Sequence, residues 1–435
     1  MTEAELSALL TDGEQMKGVL QARVPGYAGG GVIDGCEIVH TRYRTTERDR
    51  RHARPFLSVG YRLEVRDAIG GRAAQLVHAQ AYGVGDSAER FRRATATGRF
   101  APRFGPAVAH LPELGTLVWA FPNDPRLPHL PEVIDPIAVR RHLPPELGHV
   151  ADVDVQVVRY KPEVRCITRY RLAPSGLVIF GKTFRHDGAA EVWRRMDALA
   201  TRLAGDADAF LVPRPLGFDA SVKTVWQTGV SGTPLIELVH GGDGVGHVTA
   251  AGRGLARLHA LELDGLPHTT LGDRFVAARA EAAELGAAYP CLRGRLEALV
   301  ARLEHDVWSL PPMPDGLVHG DFLLKQLVVD GDRLAIFDFD NLALGDPLQD
   351  LAKCIADLYH QELAPGTARA LTASLLSTYR AHAHRQVPGE RLRWQLSVQL
   401  LRDAYYWHKR RQLTPGFERE LEGLLARAEH PPVGE

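Results

Sequence analysis

The sequence predicts an α+β chain: two β-rich stretches built on one plan, followed by a long helical half. Three observations carry that expectation. Strand-like segments closed by an amphipathic helix occur twice, the two occurrences align residue by residue, and helical periodicity dominates from Gly246 onward. The 435 residues allow two to four domains at roughly 100–200 residues each. With 45% hydrophobic and 24% charged residues the chain is globular, neither disordered nor fibrous. Its 52 Lys and Arg against 53 Asp and Glu leave a formal charge of −1, which offers no overall attraction for nucleic acid or an anionic membrane. The N-terminus carries acids where a signal peptide carries bases, and no apolar run approaches the ~20 residues that span a bilayer, so a cytoplasmic protein is expected. Cys36, Cys166, Cys291 and Cys354 lie far apart, without a C-x-x-C pair or zinc spacing, and read as reduced core thiols.

Taken in order, Met1 to Leu20 fits one amphipathic helix, which PGYAGGG (Pro25 to Gly31) ends. Cys36 to Tyr43, Phe56 to Val65 and Ala74 to Tyr82 read as strands, with a hairpin turn in AIGG near Gly70. DSAERFRRATAT, Asp86 to Thr97, reads as a helix with Asp or Ser at its cap. The Pro-studded run from Phe121 to Pro145 is expected to be mostly loop and linker, placing a boundary near His149. Beyond it Val153 to Tyr160, Arg165 to Leu172 and Leu177 to Phe184 are expected strands, and Gly188 to Ala204 a helix.

The repeat is visible in the residues. AQAYGVGDSAERFRRA (Ala79 to Ala94) aligns without gaps on GKTFRHDGAAEVWRRM (Gly181 to Met196), setting Glu89 on Glu191 and Phe91 on Trp193. RYR at Arg42 matches RYK at Arg159, and YRL at Tyr61 matches YRL at Tyr170. Gln80, however, falls on Lys182. The chain therefore reads as residues 1–148, an N-terminal cap; 149–228, a second β-rich unit; and 229–435, a helical unit.

One short β interruption, LVHGDFLLKQLVVDGDRLAIFDFDNLALGDP, lies between helical blocks. Gln326 to Val329 and Leu334 to Phe339 are expected strands flanking DGD, a composition suited to a tight turn. Polar residues cluster at both ends of this hairpin. Magnesium needs oxygen ligands and takes only one or two protein carboxylates, the rest being waters and phosphates; Asp338 with the Gln326 amide supplies that set. Asp321 on the preceding loop is then free to accept a hydroxyl proton. This is the layout of phosphoryl transfer by a kinase.

HGDFLLKQLVV…LAIFDFDNLALGDPLQDLA resembles the catalytic and metal segments of the aminoglycoside phosphotransferase-like kinases, a family that includes choline kinases and maltokinases. The resemblance implies a bilobal protein-kinase-like fold, here with an additional N-terminal β-rich cap similar to a duplicated small lobe. On the pattern H-G-D-x-x-x-x-N followed by an I-D-[FW] strand, Asp321 falls on the catalytic Asp, Gln326 on the metal-binding Asn and Asp338 on the metal-binding Asp. Gln for Asn is a departure that maltokinase-like members share. Lys182 in VIFGKTF and Glu191 nine residues later match the nucleotide Lys and the Glu that holds it. LVPRPLGF and TVWQTGVSGTPLIEL resemble the strand and hinge that bind adenine, at Val225 to Thr228 with Val225 and Gln227. The similarity spans about Val153 to Tyr406.

A glycine-rich loop over the phosphates is missing; YKPEVRC, Tyr160 to Cys166, stands in its place. Either backbone amides with Lys161 or Arg165 hold the phosphates there, or nucleotide binding is weak; the intact Lys182 and metal set favour the first. His319 reads as a residue that fixes the catalytic loop, His259 as a core or capping histidine, and Asp346 and Asp350 as caps of the following helix. Asp340 suits a second metal or a backbone amide equally. RTTERDRRHAR (Arg44 to Arg54) and HKRRQ (His408 to Gln412) read as solvated faces, while Arg402, Asp403 and Tyr406 lie where related kinases build the acceptor pocket.

The expected reaction is ATP- and Mg²⁺-dependent transfer of a γ-phosphoryl group to a hydroxyl of a small metabolite such as a sugar, aminosugar or aminoglycoside-like molecule. No nucleic-acid or membrane partner is expected. The alternatives are a kinase of Ser or Thr hydroxyls in a peptide, acting with a partner protein, and a pseudokinase scaffold.

Overall fold

The computed structural model describes residues 1–27, 30–44, 54–67, 69–82, 86–96, 100–206, 210–331, 333–364, 366–383, 385–412, 414 and 416–433. These form two units: Met1–Ala190 with Leu216–Trp226 and Lys409–Phe417, and Glu191–Pro215 with Gln227–His408 and Glu418–Glu435.

In the first unit, two helices stand where one was expected: α1 (Glu3–Leu10) and α2 (Gly13–Arg23). Asp12 breaks the run because its carboxylate accepts from the Gln15 amide at 3.0 Å, capping a new helix. Leu6, Leu10, Met16 and Leu20 are buried in one core with Leu57, Val59, Tyr61 and Leu63 of the sheet that follows. That sheet comprises β1 (Gly31–Tyr43), β2 (Leu57–Asp67), β3 (Arg72–Ala81), β4 (Val108–Leu111) and β5 (Thr116–Ala120), with helix α3 (Asp86–Thr95) after β3; its order is β1-β2-β3-β5-β4. At the β2–β3 turn Gly70 adopts φ +87° and its amide donates to Asp67 O at 3.0 Å, a conformation glycine adopts at little steric cost.

After the short helix α4 (Leu130–Ile134) the plan recurs: β6 (Asp152–Lys161), β7 (Arg165–Ala173), β8 (Val178–Phe184), helix α5 (Ala189–Leu203), β9 (Pro215–Asp219) and β10 (Thr224–Thr228), in the order β6-β7-β8-β10-β9. Tyr61 and Tyr170, matched in the sequence, stand on β2 and β7 and each donates its hydroxyl to a backbone carbonyl, of Leu10 at 2.6 Å and of Val133 at 2.8 Å. The Pro-rich run before β6 is more than a linker. Leu127, Leu130, Val133 and Val139 are fully buried in cores shared with Cys166, Tyr170, Ile179 and Trp226, so this run packs on the second sheet as α1 and α2 pack on the first.

The second unit is helical: α6 (Leu235–Leu238), α7 (Gly244–His259), α8 (Leu271–Ala288), α9 (Arg293–Val307), α10 (Leu348–His360), α11 (Thr367–His382), α12 (Gly389–Arg411) and α13 (Phe417–Glu429). Two small sheets lie among them. One joins β11 (Thr233–Pro234), β14 (Leu327–Asp330) and β15 (Arg333–Ile336), and the other joins β12 (His268–Thr269), β13 (Gly316–Val318) and β16 (Ala343–Gly345). Both expected strands of the hairpin are present, but Gln326 ends a 3₁₀ turn ahead of β14, and Phe339 opens another after β15.

Two expectations are corrected at the level of burial. Cys291 is exposed and is no core thiol, whereas Cys166 and Cys354 are buried; no disulfide occurs among the described residues. Arg44 is 6% exposed and is no part of a solvated face, while residues 45–53 of that basic stretch lie outside the described residues. No helix among the described residues is long and apolar enough to cross a membrane.

Three histidines are held toward the neutral form: His78 and His259 are buried, and His40 is half-buried. Burial, then Arg410 and other cations, push His40 down to about 3; burial also lowers His78 and His259. For each the unfolded chain takes up a proton near pH 6.5 that the folded chain refuses, so stability falls as pH drops below that value. His40→Gln is expected to flatten the decline of the melting midpoint between about pH 6.5 and pH 4, where each such histidine costs up to ~1.4 kcal/mol per pH unit. Differential scanning calorimetry across that range reads the change in slope.

Candidate active site

His319, Gly320 and Asp321 leave β13 in a tight loop whose backbone is held by one buried carboxylate. Asp350, fully buried on α10, accepts from the His319 amide at 2.6 Å, the Gly320 amide at 2.9 Å and His259 Nε2 at 3.2 Å. Asp350 is therefore a clamp on this loop and does not cap the helix it stands on. Burial alone would raise its carboxyl, but the bonds from His259 and the His319 amide hold it below the usual carboxylate range. His259 donates from Nε2, so its Nδ1 accepts the Tyr379 hydroxyl at 2.7 Å. Gly320 is required here: its φ is +76°, and a Cβ would lie 2.6 Å from Asn341 O. His319 is buried and donates from Nε2 to Phe337 O at 3.1 Å, leaving Nδ1 to accept the Asp321 amide at 3.3 Å. It is the loop-fixing residue expected from the sequence.

Helix α10 continues along the loop with a period of three and four. Lys353 places Nζ 3.5 Å from Asp321 Oδ1, and Asp357 accepts the Leu324 amide at 2.8 Å. Burial raises the Asp357 carboxyl. Neither residue was singled out from the sequence. Asp350, Lys353 and Asp357 fall at i, i+3 and i+7 in LQDLAKCIADLYH, three charges on one face of an otherwise apolar helix, and that spacing was the available signal.

Asp321, Gln326 and Asp338 are brought together. Gln326, 3% exposed, donates from Nε2 to Asp321 Oδ2 at 2.9 Å and to Asp338 Oδ2 at 3.3 Å, while its Oε1 accepts the Leu323 amide at 3.3 Å. Asp338 has φ +72°, a left-handed conformation in which Asp is several-fold enriched among non-glycine residues. Carboxylate oxygens suit a hard cation such as magnesium, but it is the Gln326 Nε2 that faces Asp321 and Asp338 while its Oε1 is turned to the Leu323 amide, so Gln326 would ligate through oxygen only with its amide turned over. Among the described residues no three His, Cys, Asp or Glu converge as a self-sufficient metal site, so a cation here would complete its shell with water and phosphate oxygens.

The remaining candidates lie elsewhere in the chain. Lys182 is buried on β8 with Nζ 5.4 Å from the Phe184 ring centroid. Glu191, in the first turn of α5, is engaged by Arg194 at 2.6 Å and Arg195 at 3.1 Å. Val225 is buried on β10 and Gln227 half-buried. Lys161 and Arg165 are paired across the end of the β6–β7 hairpin; burial, Arg410 and Arg165 push the Lys161 ammonium down to about 8. The loop between them is a turn closed by the Val164 amide on Lys161 O at 3.0 Å, with Glu163 at φ +60° where glycine is usual. The Glu163 amide donates to Asp124 Oδ2 at 2.8 Å, and its carboxylate takes Arg44 at 2.5 Å. The Glu163 and Val164 amides are thus both already engaged.

The phosphotransferase enzyme family model matches residues 168–386, half of the chain. The chain belongs to this family. It is a phosphotransferase with an alcohol group as acceptor, and its α+β fold is protein-kinase-like, as the sequence predicts. Similar solved structures include a choline/ethanolamine kinase family protein from Mesorhizobium loti, at 16% identity and TM-score 0.48, covering 68% of this chain and 94% of that one. An aminoglycoside phosphotransferase from Streptomyces rimosus is 19% identical at TM-score 0.41, covering 61% and 98%. An aminoglycoside-3′-phosphotransferase of type VIII is 21% identical at TM-score 0.41, covering 58% and 93%. No curated protein matches in sequence.

In this phosphotransferase Lys353 also reaches Asp403, at 3.7 Å, and Asp403 accepts from His360 at 3.1 Å and Gln399 at 2.8 Å. One of the three acceptor candidates is thus joined to Asp321 through a single ammonium. Arg402 instead pairs with Glu281 of α8 at 3.3 Å, and Tyr406 is exposed.

Asp350→Asn keeps the volume but offers one acceptor oxygen to two backbone amides and His259. It is expected to destabilise the fold by about 2–4 kcal/mol, read as a lowered denaturant midpoint at unchanged slope. An unchanged midpoint would mean the clamp is dispensable.

Proposed function

We propose that this phosphotransferase moves the γ-phosphoryl group of ATP to a hydroxyl of a small metabolite, a sugar, aminosugar or aminoglycoside-like molecule, with Mg²⁺ as metal. One observation carries the reading: a single side-chain amide, Gln326, donates to both Asp321 and Asp338, so the two carboxylates stand around one point. Asp321 is the base. It accepts the acceptor's hydroxyl proton as that oxygen attacks, and the His319 ring and Lys353 hold its backbone and carboxylate in place. Gln326 and Asp338 are the magnesium ligands; when bound, the metal neutralises charge on the transferring group. Lys182 contacts the nucleotide phosphates, Lys161 and Arg165 take the place of the missing glycine-rich loop, and Val225 and Gln227 receive the adenine; Glu191, expected to hold Lys182, is engaged by Arg194 and Arg195. Residues 1–148 form a non-catalytic cap, 149–228 the small lobe and 229–435 the large lobe. The cap carries Gln80 where the small lobe carries Lys182; Gln80 is buried and its Oε1 accepts from Tyr82 and Trp119, each at 2.8 Å, so this position offers no counterpart to the Lys182 ammonium.

Asp321→Ala is expected to lower turnover by about 10²–10⁴-fold with ATP binding retained, measured by phosphate transfer to a panel of sugars and aminosugars run beside Ser- and Thr-containing peptides. Transfer to peptides alone would replace the small-molecule reading. Separately, ATP titrated in a calorimeter should bind only with Mg²⁺ present, and Asp338→Ala should abolish that dependence. A folded wild type that binds no ATP would turn the assignment to a scaffold.

A further inference from the structure

Beside the Glu163 turn, on the side of the first sheet, lies a cavity of about 210 Å³ whose polar lining is almost wholly cationic. Arg42 and Arg44 reach it from the end of β1, Arg54 from the approach to β2, Arg90 from α3, Arg126 from the run after β5 and Arg185 from the end of β8. Among the described residues the lining's one acid is Glu163. Six guanidinium groups arriving from five separate segments are no charge run on one solvated helix; the tertiary fold assembles them. Glu163 forms a 2.5 Å ion pair with Arg44, and Arg90 stacks 4.3 Å above the Tyr82 ring. Like charges held this closely repel. Burial, then Arg126 and Arg54, lower the affinity of the Arg185 guanidinium for its proton.

We infer that this cavity binds a phosphate dianion, either free orthophosphate or the terminal group of a phosphomonoester. Guanidinium forks match phosphate oxygens in pairs, and several converging from different directions suit a tetrahedral anion better than a planar carboxylate. The volume falls below the roughly 300–1,000 Å³ of pockets that enclose drug-sized ligands, so it accommodates a phosphate group and not a nucleotide. This site is distinct from the proposed Lys182 phosphate contact and does not depend on it.

The test is calorimetric titration of orthophosphate, and in a second arm glycerol phosphate, into the full chain at constant ionic strength. Saturable binding of either is expected, weakened at least about tenfold in Arg126→Gln/Arg185→Gln and unchanged in Lys182→Ala. Tighter binding of orthophosphate would identify the free ion as ligand, and tighter binding of glycerol phosphate a phosphomonoester. Arg126 and Arg185 are exposed, so the double variant should fold, and its melting midpoint in chloride should equal or exceed that of the wild type because two like charges are gone. Binding that survives the double variant but is lost in Lys182→Ala would assign the phosphate to the nucleotide site and overturn the inference. So would absence of saturable binding in both arms, or a lowered melting midpoint of the double variant in chloride.

Discussion

The buried carboxylate of Asp350 is the interaction on which the loop carrying Asp321 depends. An unpaired ion in this position would cost several kcal/mol, and the cost is offset only because two backbone amides and a neutral imidazole converge on it. The requirement runs in both directions. The loop must turn through a left-handed glycine to present consecutive amides to the carboxylate, and His259 must carry a proton on Nε2 to donate to it, its Nδ1 being satisfied by the Tyr379 hydroxyl. Each partner constrains another element: His259 ends α7, Tyr379 belongs to α11 and Asp350 opens α10. The position of Asp321 thus follows from how three helices pack, with Lys353 and Asp357 extending the same helix face along the loop.

A second constraint acts at the Gln326 turn. A glutamine amide can donate two hydrogen bonds and accept through its oxygen, and here it spans two acids and one backbone amide. Two carboxylates brought near each other repel unless a donor or cation stands between them. The Gln326 NH₂ group is that donor, which explains how both acids share this small space within the protein alone. The side chain also carries a ligand oxygen of the kind magnesium prefers.

Much of the architecture was legible because it rests on local rules. Period-two apolar strands, the Asp-Gly turn and the 3.6-residue periodicity located the first three strands and the helix of each β-rich stretch and the β14–β15 hairpin, but not β4, β5, β13, β16 or α4, and the gapless match around Gln80 and Lys182 foreshadowed two sheets of one strand order. The errors have equally local causes. Asp12 splits the first helix by competing for a backbone amide, and α1 and α2 then present one apolar face that a single pattern imitates. In the site, Asp321, Gln326 and Asp338 were read from their spacing, and the structure brings them together. Asp350 was misread because a carboxylate at a helix start suggests a cap. Its actual partners, His319 and Gly320, are about thirty residues earlier, and no local rule reports a contact of that separation.

The Glu163 turn shows how a fold can replace glycine. In a glycine-rich loop, conformational freedom lets the backbone approach phosphates closely. Here the left-handed position is taken by glutamate, which is disfavoured there, and partners from the first sheet and its flank hold it. Asp124 accepts from its amide, Arg44 donates to its carboxylate, and the Tyr160 hydroxyl donates to the same Asp124 oxygen at 2.7 Å. Removing the first sheet would leave Glu163 strained and its charge uncompensated. Arg44, just past β1, and Asp124, just past β5, are thus the contacts that hold this loop in its left-handed turn.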